Sequence, residues 1–126
     1  VDDLRNKRVY TLTDAGRAAL EKWMATPTDQ PVLKHPVMMR VWLGHLADPE
    51  RLRELLAEHQ ASVATLRDDA ETAALAADEA YTYPALVNRW AARYYQAELD
   101  LAQALLDDLA DLDSGALAND SSSDQT

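Results

Sequence analysis

The chain has 126 residues, a formal net charge of −10, no cysteine and no phenylalanine, and much of its 48% hydrophobic content is alanine. Such an acidic chain does not cling as a whole to nucleic acid or to an anionic membrane surface, and without cysteine it has neither disulfides nor thiolate chemistry. No apolar run approaches the ~18 residues of a membrane span and no signal-peptide pattern opens the chain, so a cytoplasmic protein with no membrane contact is expected.

Taken in order, Arg5-Asn6-Lys7-Arg8 reads as a basic turn, and Val9-Tyr10-Thr11-Leu12 as a short strand, since β-branched and aromatic residues favour extended backbone. A lone strand is unstable in water. Its partner has either been cut away or lies in residues 1–4, and the chain is read as the C-terminal part of a longer protein. Thr13 is a good N-cap for a helix running to about Ala25, with Asp14 in its first turn and Leu20, Trp23 and Met24 on its buried side. Gly16 costs that helix roughly 1 kcal/mol against alanine, which predicts a close backbone contact with a neighbouring element. Pro27, Pro31 and Pro36 punctuate a connecting loop. A shorter helix is expected from Leu33 or Pro36 to Leu46, ended by Gly44 and the Ala47-Asp48-Pro49 corner. Asp48 and Pro49 then supply the N-cap and first position of the next helix.

The stretch from Pro49 to Leu112 reads as two long helices forming an antiparallel hairpin. In the first, Leu52, Leu55, His59, Val63, Leu66, Ala70, Ala73 and Ala77 recur at spacings of three and four. In the second the recurring residues are Val87, Trp90, Tyr94, Ala97, Leu101, Leu105, Leu109 and Leu112. Stripes of this kind belong to helices that pack lengthwise. Tyr81-Thr82-Tyr83-Pro84 interrupts the pattern, with Pro84 tolerated near the first turn of the new helix. Each arm is about 45 Å long, more than a monomer of this size can cover, so an intertwined homodimer is expected. Leu52, Leu55, His59, Val63, Leu66, Leu101, Leu105 and Leu109 are its candidate seam. Asp113-Ser114-Gly115 should break the last helix, leaving 113–126 as a disordered acidic tail. The expected organisation is thus 1–12, 13–112 and 113–126, all-α apart from the short strand.

The run Arg8-Val9-Tyr10-Thr11-Leu12-Thr13-Asp14-Ala15-Gly16-Arg17-Ala18-Ala19-Leu20 resembles the passage K/R-V-Y-x-L-T-x-x-G-x-x-x-L of PadR-family transcriptional regulators. Tyr94-Tyr95-Gln96-Ala97-Glu98-Leu99-Asp100-Leu101 is similar to the aromatic-then-AEL segment of the family's last helix. The resemblance covers roughly residues 5–112. It implies that residues 1–12 are the remnant of a winged-helix wing and that DNA is gripped through an upstream winged-helix domain this sequence lacks. It also implies that residues 13–112 are the dimerisation and effector region of a repressor-type regulator. Arg5, Lys7 and Arg8 would be weak phosphate contacts at the wing tip. Some members of the family hold small aromatic effectors near the dimer interface. By that resemblance Met38, Trp42, Trp90, Arg93 and Tyr94 are the candidate effector pocket, with aromatic faces and a cation suited to a planar ligand. The competing reading of Met38, Met39 and Trp42 is core filling. For the whole chain it is a stand-alone helical adaptor without DNA binding.

Nothing points to an enzyme or a cofactor. His35, His45 and His59 fall on separate predicted elements, no Glu-x-x-His or His-Glu-x-x-His spacing occurs, and no metal site is expected. Glu54 and Glu58 lie one turn apart, a solvated face more often than an acid/base pair. His59 reads as a hydrogen-bonded residue of the helix seam rather than a ligand.

Overall fold

The computed structural model describes residues 10–77 and 81–123, with side chains through Gly115. The chain divides into two compact units, residues 1–34 and 35–126. In the first, α1 spans Asp14–Met24 and is opened by Thr13, whose hydroxyl accepts from the Gly16 amide at 3.0 Å. This cap also accounts for Gly16. A Cβ there would stand 3.1 Å from Thr13 Oγ1 and 3.3 Å from Leu12 Cδ1, so the close contact is with the helix's own cap and not with a neighbouring element. Two expectations fail in this unit. Tyr10, Thr11 and Leu12 carry no regular structure, and there is no strand among the described residues; a strand needs a ladder partner, and none of those residues supplies one. Leu20, Trp23 and Met24 are exposed rather than buried, because one helix and a proline-punctuated segment offer no second apolar surface.

The second unit begins with α2, Pro36–Trp42, followed by a 3₁₀ turn over Gly44–Leu46, and then α3, Pro49–Ala77, and α4, Thr82–Ser123. Asp48 opens α3 as its composition predicts: the Glu50 amide donates to Asp48 Oδ1 at 3.3 Å and the Leu52 amide to the Asp48 carbonyl at 3.0 Å. Pro84 sits in the first turn of α4, where its missing N–H removes no intrahelical bond. The two long helices are antiparallel. Arg67 Nη1 donates to Gln96 Oε1 at 2.7 Å and Gln60 Nε2 to Gln103 Oε1 at 3.1 Å, while Arg53 pairs with Asp113. α2 lies against α3.

The core is a line of small and aliphatic side chains: Leu52, Leu56, Val63, Ala70 and Ala74 from α3, and Ala85 and Ala102 from α4. It departs from the expected stripes. On α3, Leu56 replaces Leu55 as the buried residue, and Leu66 is 46% exposed. On α4 the inward row runs through Ala85, Asn88, Ala92, Tyr95, Glu98, Ala102, Leu105 and Leu109. Val87, Trp90, Tyr94 and Leu101 face outward, as does Leu112 further along. Alanine admits the closer interhelical approach, so the hairpin buries the alanine row and leaves the bulkier heptad row uncovered.

The break expected at Asp113-Ser114-Gly115 does not occur; α4 continues through Ser123. One glycine costs a helix only about 1 kcal/mol, and the Asp113 carboxylate is tied to Arg53 across the hairpin. A Cβ at Gly115 would meet nothing within 4 Å. Gly115→Ala should therefore stabilise the helix by about 0.5–1 kcal/mol, read as a higher thermal midpoint by circular dichroism.

Candidate functional site

Three polar side chains from three separate segments meet between the helices. His35 is the N-cap of α2, held extended (φ −127°, ψ 94°) ahead of Pro36, whose ring suits the first helical position. Its Nδ1 accepts from the Met38 amide at 3.2 Å, so that nitrogen is bare and the ring's proton sits on Nε2. That Nε2 donates to Glu98 Oε1 on α4. His59 of α3 places its own Nε2 3.0 Å from the same oxygen. The two imidazoles meet edge to face, with centroids 5.3 Å apart. The side chains of His35, His59 and Glu98 are 13%, 20% and 16% exposed, so the cluster is shielded but reachable from solvent.

Helical spacing explains the convergence. Leu56 and Val63, both buried, flank His59 by one turn on either side, and Tyr95 and Ala102 flank Glu98 in the same way. Each polar residue thus sits between inward-facing neighbours one turn away on its own helix. Burial is the largest influence on the Glu98 carboxyl and pushes it up. The hydrogen bonds from His35 and His59 outweigh it and hold the group below its ordinary value. His59 is thus hydrogen-bonded between α3 and α4 of a single chain. His35 and Glu98 escaped the sequence reading because they stand 63 residues apart and no local motif joins them.

The aromatic candidates are placed elsewhere. Trp90 and Tyr94 stack nearly parallel, centroids 5.4 Å apart and planes 13° apart, on the outward face of α4, and Tyr94 meets Tyr95 edge-on at 5.8 Å. Arg93 lines a groove between α3 and α4 with Glu71, Ala74, Leu75, Arg89 and Ala92. Met38 is 39% exposed on α2 and Trp42 is largely exposed at its end. Of the seam candidates, Leu52 and Val63 are buried, Leu55, His59, Leu105 and Leu109 are half-buried, and Leu66 and Leu101 are exposed. Glu54 and Glu58 both accept from Arg51 Nη1 at 3.0 Å in an exposed ion-pair network. Arg5, Lys7 and Arg8 lie outside the described residues.

No curated protein matches the chain. Its fold is similar to that of a PadR-like transcriptional regulator from Bacillus cereus, with a TM-score of 0.68 and 18% sequence identity over 78% of this chain. The match covers 60% of that regulator's chain. Residues 33–110, which hold α2, α3, most of α4 and all three members of the polar cluster, match the family described as "Virulence activator alpha C-term". The chain belongs to that family, the C-terminal domain family of PadR-like regulators.

Proposed function

We propose that this chain is the C-terminal dimerisation and effector-sensing region of a cytoplasmic, PadR-like DNA-binding regulator of the repressor type, with no enzymatic activity. The observation that carries the reading is the outward row of α4. Tyr83, Val87, Trp90, Tyr94 and Leu101 are all exposed at heptad spacing along a 42-residue helix. A row of this kind is the seam that a second copy of the same helix would cover. No helix among the described residues is long and apolar enough to cross a membrane, so a bilayer-spanning role does not compete for it.

Function would then be geometric. Two copies packed along this row would fix the distance between two DNA-binding domains, and with it the half-site spacing they grip. A ligand that favours one packing of the helices over another would shift that distance by no more than its differential affinity allows. The stacked Trp90–Tyr94 pair and the nearby Arg93 supply π-faces and a cation for a planar aromatic effector at the interface.

Light scattering after size exclusion tests this across a wide concentration range. The chain should run as a persistent dimer. The double variant Trp90→Glu, Leu101→Glu should run as a monomer with unchanged helicity, because both side chains are exposed in the single hairpin and their loss leaves its core intact. A wild-type monomer at all concentrations would remove the basis for the spacing mechanism and favour a helical adaptor.

A further inference from the structure

We propose that His35, His59 and Glu98 form a binding site for one divalent transition-metal ion of the zinc class. The ligating atoms of the three residues all lie within 4.8 Å of one another. Around zinc, ligands at about 2.0–2.2 Å stand roughly 3.3 Å from each other, so side-chain adjustment alone brings this set onto one ion. Two imidazoles and one carboxylate suit borderline ions such as zinc, cobalt and nickel, whereas magnesium and calcium ask for oxygen donors. Three protein ligands leave a fourth position open, and the partial exposure of the cluster lets water or a small anion reach it. The ligands come from the start of α2, the middle of α3 and the middle of α4, so a bound ion would clamp three segments that are otherwise joined by side-chain contacts. The inference stands on this geometry and not on the regulator reading.

The cap of α2 gives the site a particular consequence. A neutral imidazole that binds metal through Nε2 carries its proton on Nδ1. In His35 that nitrogen now accepts from the Met38 amide. Metal binding therefore moves the His35 proton from Nε2 to Nδ1 and displaces the Met38 N–H from its cap. The ion tightens the hairpin while loosening the first turn of α2, which couples occupancy of the site to the position of α2.

The experiment uses the tag-free, chelator-stripped chain and titrates Co²⁺, whose visible d–d absorption reports coordination, followed by displacement with Zn²⁺. One equivalent per chain should bind saturably. His35→Asn separates the two roles of that residue: asparagine is among the best N-caps but a poor ligand for these ions, so helicity should persist while affinity falls. Because loss of even an outer-shell partner costs about 10–100-fold, loss of a ligand in His35→Asn or Glu98→Gln should weaken binding by about 100-fold or more. His45→Asn, which removes the remaining histidine, should bind as the wild type does. Amide exchange at Met38 should quicken when the ion is bound. Absence of a saturable one-to-one Co²⁺ spectrum would overturn the proposal, as would equal affinity in wild type, His35→Asn and Glu98→Gln when all three are folded by circular dichroism. Loss of binding in His45→Asn alone would do the same.

Discussion

Leu56→Ala is expected to cost the hairpin about 2–5 kcal/mol, a large share of the stability of a domain this small. Leu56 is 0% exposed and is the largest fully buried side chain of the described residues. Leu52 and Val63 lie one and two turns away on α3, and the register set by Gln60–Gln103 and Arg53–Asp113 places Leu56 opposite the stretch of α4 that holds Ala102, Leu105 and Leu109. The half-buried Leu105 and Leu109 are long enough to refill part of the hole, so the lower to middle part of the range applies. Urea unfolding followed by circular dichroism measures it, as a lower midpoint at unchanged slope. Leu66→Ala provides the contrast. At 46% exposure its contribution within one hairpin is about 1 kcal/mol or less. A cost for Leu66→Ala that approaches that of Leu56→Ala and grows with protein concentration would mean that a second copy covers the residue.

The helices themselves were legible because their ends carry local chemistry. Thr13, the Asp48-Pro49 corner and Pro84 each act through groups within one turn of themselves, and each falls where the sequence puts it. Which face each helix buries was less legible. α4 carries two rows at helical spacing, one rich in alanine and one rich in aromatic and aliphatic residues, and hydrophobicity alone selects the second. Packing against α3 selects the first, where Ala85, Ala92 and Ala102 let the two helices approach closely. The bulky row is then left for whatever lies outside the single chain. A similar conflict explains Gly115: its propensity reads as a stop, but a single glycine does not outweigh a helix tied two residues earlier by the Arg53–Asp113 pair. The polar cluster was illegible for a different reason. Its members are 39 and 63 residues apart along the chain and are brought together only by the hairpin and by the packing of α2. Local spacing finds metal or acid/base sites built on one helix, and this one is built on three segments.

In chelator, with no metal present, Glu98→Leu is expected to cost about 1.5–3 kcal/mol, the range for hydrogen bonds to a charged group. The carboxylate accepts from both His35 and His59, so its removal deprives two shielded imidazoles of a partner. Glu98→Gln should cost less, because its amide oxygen still accepts. The pH dependence separates charge from packing. The folded Glu98 carboxyl lies below its ordinary value. A group depressed in this way binds fewer protons in the folded than in the unfolded chain, so its contribution is fully present above the unfolded value of about 4.3 and is lost as pH falls through the folded one. The urea midpoint of the wild type should therefore drop on acidification below about pH 5, and the drop should be shallower in Glu98→Gln, where that carboxyl no longer titrates. Parallel acid limbs in the two proteins would mean that the hairpin is held at this level by the Leu56 and Val63 contacts alone and that the two hydrogen bonds to Glu98 merely offset the burial of its charge.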